Sequence, residues 1–320
     1  MQCSLVVGLV IAACAAWPLN LVSPVNVGQQ PTARERYIRV DKARLFSREI
    51  GRGRAVIVLH GGPDFDHTYF LPDLDRLSDA YRLIYYDQRG RGKSADDVRP
   101  EDVTLDSEMV DLDKVRESFA LASAAILGHS WGSVLALEYA IRYPDRVSHL
   151  ILLNPAPASA EDFAQFRTVY RAKLGADFDR LRAVAATRAY KDGEPDAVAD
   201  YYRIHFKPAL TRPEHVDIVV NRLKGSFTRA GILKARAVED RLVNETWLSK
   251  GFDLLPKLAR LRIPTLVVYS DHDFIPADSA VHIARAVPNA RLVGFKECGH
   301  FSYFDCPVAV RREIDGFFRR

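Results

Sequence analysis

The chain of 320 residues is poor in the features by which proteins hold metals, membranes or nucleic acids. Its four cysteines form no C-x-x-C pair and no Cys/His metal spacing, which excludes a zinc module and a dithiol redox centre. Cys298 and Cys306, eight apart, could pair in an oxidising compartment, but two separate packing thiols are the plainer reading. The formal charge is only +4 and the basic residues are scattered. A nucleic-acid surface needs a clustered basic stripe, so none is expected. The longest uncharged apolar run, residues 4–16, is shorter than the ~20 residues of a membrane-spanning helix. There are no internal repeats and no low-complexity segment. What remains, at 48% hydrophobic and 27% charged, has the composition of a globular protein large enough for one α/β domain with an insertion.

Residues 1–30 stand apart, with no charge before Arg34. The apolar run followed by Ala13-Cys14-Ala15 reads as a secretory leader with a small-x-small cleavage site. Ile11-Ala12-Ala13-Cys14 also resembles a lipoprotein box that would leave Cys14 lipidated. Export, free or anchored through Cys14, is the expectation; a leader that does not function would leave the protein cytoplasmic.

Beyond a polar linker, Tyr37–Val40 and Arg44–Glu49 alternate like the strands of a hairpin. Ala55–Leu59, Arg82–Tyr86, Ala124–Leu127, Val147–Leu153, Pro264–Tyr269 and Arg291–Phe295 are apolar runs of the kind that parallel strands covered on both faces produce. Helical patterns separate them, which predicts a right-handed, mostly parallel sheet flanked by helices. From 156 to 255 strand-like runs vanish and aromatic-rich helical stripes take over. That stretch reads as a helical cap inserted into a core made of 31–155 and 256–320.

The core is organised around Gly128-His129-Ser130-Trp131-Gly132. A buried strand runs into this G-x-S-x-G pattern and a helical stripe leaves it at once. A strand turning so sharply into a helix forces its apex into a strained conformation and needs glycine on either side. The strain would hold the Ser130 hydroxyl clear of the sheet at a helix N-terminus, as a nucleophile requires. A serine hydroxyl also needs a base, and the base an orienting carboxylate. Both belong on loops after later strands. His300, in Cys298-Gly299-His300, is the candidate base, against His272 and His282. Asp273 is the candidate acid, with Asp271 its competitor. Two backbone N–H groups should meet the oxyanion: that of Trp131, after the serine, and that of Gly62, in the His60-Gly61-Gly62 turn.

Together H-G-G-P-D at 60–64, D-Q-R-G-R-G-K-S at 87–94, G-H-S-W-G at 128–132, the Asp273 loop and Gly299-His300 resemble the proline iminopeptidase branch of the α/β-hydrolase superfamily. The resemblance covers 37–154 and 258–320, the core without the cap. It implies an α/β-hydrolase fold, a Ser-His-Asp hydrolase under a helical cap, and release of an N-terminal residue from small peptides or aminoacyl amides, with no cofactor and no metal. Asp64 stands where that branch usually has glycine, and the elbow reads G-H-S-W-G-S where G-G-S-W-G-G is usual. The branch holds the substrate's free amine with acidic cap residues in an E-x-H-Y-F-like segment. Here the corresponding candidates are Glu239 and Glu245.

The alternative is a carboxylesterase acting on small esters with the same three residues. Gly90-Arg91-Gly92-Lys93-Ser94-Ala95 superficially suggests a nucleotide loop. The phosphate-loop pattern would need glycine at Asp87, and Pro100 with several carboxylates follows where a dinucleotide helix should start. The turn from Asp87 to Ser94 is instead expected to brace the oxyanion strand.

Overall fold

A computed structural model describes residues 32–319. The proposed leader and the Cys14 lipidation site lie outside them.

Eight strands form one sheet in the order β1-β2-β4-β3-β5-β6-β7-β8. β1 (Arg34–Val40) and β2 (Ala43–Ile50) form an antiparallel hairpin, and β2 runs antiparallel to β4 (Tyr81–Tyr86). All other pairings are parallel: β3 (Arg54–Leu59) with β4 and β5 (Ala124–His129), then β6 (Val147–Leu153), β7 (Thr265–Ser270) and β8 (Ala290–Phe295) in succession. The central strands are buried on both faces, which explains their unbroken apolar runs: every residue of β5 is buried. One apolar cluster, built on Ile57, Ile126, Leu150 and Val267, takes α1 (Leu105–Ser118) and α2 (Trp131–Arg142). The other, built on Val58, Leu127, Ile151 and Val268, takes the C-terminal helix. Each such Val, Leu or Ile contributes roughly 1.5–3 kcal/mol by leaving water.

Between β6 and β7 the chain is helical: α3 (Ala160–Leu174), α4 (Asp177–Ala186), α5 (Arg188–Lys191), α6 (Pro195–His205), α7 (Pro213–Lys224) and α8 (Arg229–Glu245). The two ends of this insertion are tied together. Ala160 N–H donates to the Phe252 carbonyl at 2.9 Å and Leu254 N–H to that of Ala158 at 2.9 Å. The insertion therefore leaves and rejoins the sheet at one point, beside the elbow. There Trp247 packs edge-on against Trp131, with ring centroids 5.3 Å apart, and its indole N–H donates to the Pro157 carbonyl at 2.8 Å. The chain closes with α9 (Leu255–Leu258), α10 (Ala277–Ala286), α11 (Ser302–Asp305) and α12 (Pro307–Phe318). Cys298 and Cys306 are joined by a disulfide across a Cα separation of 6.1 Å, so they are not the separate thiols of the plainer reading. The turn that begins α11 brings the two cysteines back together, a fold-back that their spacing alone does not reveal.

Candidate active site

Ser130 sits between β5 and α2 with φ 53° and ψ −123°, a left-handed conformation that costs a non-glycine residue energy. The flanking glycines are required by space. A Cβ on Gly128 would lie 2.5 Å from the Gly132 carbonyl oxygen, and one on Gly132 would lie 2.2 Å from that of Leu59. Two bonds clamp the elbow: Ser130 N–H donates to the Leu153 carbonyl at 3.2 Å, and Ala156 N–H to the Ser130 carbonyl at 3.1 Å.

The loops after β7 and β8 bring Asp273 and His300 together. His300 Nδ1 lies 2.9 and 3.0 Å from the two Asp273 carboxylate oxygens, and both residues are almost wholly buried. A carboxylate only accepts, so Nδ1 carries the proton, and in the neutral ring the lone pair falls on Nε2. Asp273 is held in turn by Asn154, whose amide donates at 2.8 Å, and by the Ile275 N–H at 2.8 Å. The Ile275 contact is an Asx turn, so the acid does not serve as the N-cap of α10, where Pro276 stands. Among the rivals, His282 is bonded to Asp162 at 2.8 Å, and Asp271 and His272 are exposed. Ser130 and His300 line one cavity but make no hydrogen bond to each other among the described residues; such contacts are often loose without substrate.

The turn after β3 lies against the elbow: a Cβ on Gly61 would come within 3.0 Å of Ser130 Cβ. Gly62 adopts φ +112°, open to glycine and strained for any side chain. His60 fixes this turn. Its Nε2 accepts from Gln88 N–H at 3.0 Å, so its Nδ1–H donates to the Gly61 carbonyl at 2.9 Å. Burial, then Arg91, lowers the His60 pKa to about 3, which keeps the ring neutral in that tautomer. In a trans peptide the carbonyl and the following N–H point opposite ways. Pinning the Gly61 carbonyl therefore turns the Gly62 N–H the other way, and neither it nor the Trp131 N–H is spent on another bond among the described residues. The turn after β4 braces this arrangement, as expected. The Gln88 side chain also donates to the His60 carbonyl at 2.9 Å, and Arg91 is buried in an ion pair with Glu108 at 2.7 Å. Asp66, His67 and Asp87 cluster within metal-ligand range but are spent on each other and on nearby backbone. Asp87 accepts from His67 Nδ1 at 2.6 Å and from the Lys93 N–H at 2.9 Å, while Asp66 caps Thr68 at 2.8 Å.

The cavity over Ser130 has a volume of about 230 Å³ and is walled mainly by aromatic side chains, Phe163, Tyr190, Phe206 and Phe274 among them. Of Glu239 and Glu245, only Glu239 lines it. Glu245 is exposed elsewhere, both its oxygens accepting from the Leu105 N–H at 3.2 Å at the start of α1. Six residues on a helix place two side chains about 120° apart, so α8 cannot turn both toward one cavity. The second acid of the cavity is Asp64, which the sequence marked only as a departure from glycine and which is bonded to the Tyr202 hydroxyl. Burial, then Asp64, raises the Glu239 pKa well above the usual glutamate range, and burial likewise raises that of Asp64. Arg236 lies on the same wall, with its guanidinium 3.7 Å over the Tyr190 ring and Nη2 without a hydrogen-bond partner among the described residues. His205, also in the wall, is held by the Tyr170 hydroxyl at 2.6 Å, and burial lowers its pKa to about 3. Asn154 and His205 carry no motif, and a polar residue just after a buried strand was the only signal for the former.

Residues 54–307 match the family described as alpha/beta hydrolase fold. The chain belongs to that family and is a hydrolase. Within it, the sequence falls in the proline iminopeptidase-like branch. It is 30% identical to the proline iminopeptidase of Neisseria meningitidis serogroup B, over 85% of this chain and 91% of that one. It is also 30% identical to proline iminopeptidase PfmaB of Pestalotiopsis fici, over 87% and 97%. The crystal structure of the Mycobacterium smegmatis proline iminopeptidase superposes with a TM-score of 0.67 at 22% identity, covering 89% of this chain and 98% of that one.

Proposed function

We propose that the protein is a serine hydrolase that releases an N-terminal residue from small peptides or aminoacyl amides. The observation that carries this reading is one cavity with the strained Ser130 and the Asp273-bound His300 on its wall, together with the two acids Asp64 and Glu239. In the proposed reaction the Ser130 hydroxyl attacks the substrate carbonyl carbon as its proton passes to His300 Nε2. The carbonyl π electrons move onto oxygen, which the N–H groups of Gly62 and Trp131 receive; each such donor is worth about 10²–10³ in rate. His300 then returns the proton to the leaving nitrogen as the C–N bond breaks, leaving an ester on Ser130. Water repeats the sequence, with His300 again taking and returning the proton, and frees the acid. Asp273 orients the ring and stabilises its charged form. Asp64 and Glu239 would receive the substrate's ammonium group, which aligns the residue next to the scissile bond.

The second reading, a carboxylesterase for small esters, is favoured by Arg236, whose charge offsets the two acids and makes the aromatic cavity less selective for a cation. A panel of proline naphthylamide, other aminoacyl amides and p-nitrophenyl acetate separates the two. Release of naphthylamine with a kcat/KM well above that on the ester supports the peptidase, and ester turnover alone supports the esterase. Ser130→Ala should abolish both activities and labelling by a fluorophosphonate. Retained labelling would remove Ser130 as the nucleophile.

A further inference from the structure

His129, just before the proposed nucleophile, is wholly buried and takes no part in the proton transfers above. Its two ring nitrogens nevertheless reach both halves of the site. Nε2 lies 2.9 Å from the His300 carbonyl oxygen, which can only accept, so Nε2 carries the proton. Burial, then His300, holds the His129 pKa well below the ordinary histidine value, so the ring is neutral and Nδ1 is an acceptor. The Tyr69 hydroxyl, 2.8 Å from Nδ1, must then donate to it. The same hydroxyl oxygen accepts from the Gly61 N–H at 2.7 Å. Every proton in the chain is thereby assigned in one direction: Gly61 N–H to Tyr69, Tyr69 O–H to His129, His129 Nε2–H to the His300 carbonyl.

We propose that Tyr69 and His129 are positioning residues, a buried relay that holds the turn carrying the Gly62 N–H in fixed register with the loop carrying His300. The inference rests on the reading of Ser130 as nucleophile. Gly61 is held at both ends, by Tyr69 at its N–H and by His60 at its carbonyl, so its peptide planes have little freedom. The backbone of His300 is likewise held twice, its carbonyl by His129 and its N–H by the Ala209 carbonyl at 2.7 Å. Tyr69, Phe70, Phe301 and Tyr303 pack round the imidazole with centroids 5.4–5.8 Å away, and the His300 ring lies closer still, at 4.7 Å. The aromatic surroundings also define the competing account, in which the two rings matter only as packing.

Tyr69→Phe keeps the ring and removes the hydroxyl, and His129→Leu removes both nitrogens at similar volume. With p-nitrophenyl acetate, each should lower kcat about 10- to 100-fold, the cost of misplacing a reacting group by a fraction of an ångström to an ångström. KM should stay within about twofold of wild type, while the Tyr69→Phe melting temperature should fall by several degrees because the Gly61 N–H and His129 Nδ1 lose their partner, so kcat is read well below the melt. Because the two act as one unit, the double variant should be no slower than the worse single variant by more than about twofold. Wild-type kcat in Tyr69→Phe, a loss confined to KM, or single losses that multiply in the double variant would each overturn the relay. If His129→Leu does not fold, Tyr69→Phe decides alone. Ser130→Ala is measured alongside. Full activity there would overturn the nucleophile reading and the relay with it, whereas an inactive Ser130→Ala beside a fully active Tyr69→Phe overturns the relay only.

Discussion

Replacing Glu239 by glutamine tests whether the acids of the cavity recognise an amine. Burial raises both Glu239 and Asp64, and the Asp64 carboxylate further opposes ionisation of Glu239. The pair therefore holds a proton to higher pH than an exposed carboxylate would. An ammonium ion reverses that balance, favours the ionised forms and expels the proton as it binds. kcat/KM for proline naphthylamide should accordingly rise with pH as the pair ionises, then fall as the substrate amine, with an ordinary pKa near about 8, loses its own proton. In Glu239→Gln the group that ionises against its neighbour's charge is gone and only Asp64 is left to titrate, so the rising limb moves to lower pH. On the proposed reading the contact removed is a charge-assisted hydrogen bond to the ammonium group, worth about 1.5–3 kcal/mol, which corresponds to a loss of about 10- to 150-fold in kcat/KM. p-Nitrophenyl acetate has no amine, and its turnover should change by less than about twofold. Stability moves the other way. A carboxyl whose folded pKa lies above its unfolded value binds more protons when folded, so stability is lost as pH rises from the unfolded pKa through the folded one. Glutamine carries no such penalty, and Glu239→Gln should melt at or above wild type at pH 8. Equal losses on amide and ester, or full naphthylamide activity with an unmoved rising limb, would refute the reasoning.

Three other substitutions follow from the geometry. His300→Ala should lower kcat on either substrate by at least about 10³-fold, since a serine without its base keeps only what binding and the oxyanion donors supply; steady-state kinetics reads this. Glu245→Gln should leave naphthylamide hydrolysis within about twofold of wild type, because its carboxylate meets the start of α1 instead of the cavity. Its melting temperature should fall by about 2 °C or less, the scale of one exposed charge at a helix N-terminus. Gly132→Ala would set a Cβ 2.2 Å from the Leu59 carbonyl and 2.8 Å from that of His60, so β3 or the elbow must shift. A thermal melt should show a loss of about 1–3 kcal/mol, with ester turnover falling further as the Gly62 turn moves away from Ser130.

Which of these positions could be found from sequence follows from how far their partners lie along the chain and how they are chosen. The strands were legible because a parallel strand covered on both faces has no reason to alternate, and β3, β5 and β6 are accordingly near-continuous in Val, Ile, Leu and Ala. Ser130, Asp273 and His300 stood out because such a sheet gathers the ends of its strands at one edge, so residues 143 and 27 positions apart become neighbours once strand order is known. Helix phase is a finer matter. Glu239 and Glu245 are equally good candidates by composition, and only the rotation of α8 against the core, set by buried Ile232, Ala235, Val238 and Leu242, decides which one faces the cavity. Asp64 is harder still, since its meaning comes from Tyr202, 138 residues away, and from Glu239 on a different helix. The Tyr69–His129 relay lies at the same depth. Neither residue lacks an ordinary explanation as core aromatic, and what marks them is that three segments separated by 60 and 171 residues must agree on where each proton sits. Pattern reveals where chemistry can be placed because strand ends are fixed by topology. The direction of a hydrogen bond is settled only when both partners and all their competitors are known, and that is the level at which specificity and positioning are decided in this site.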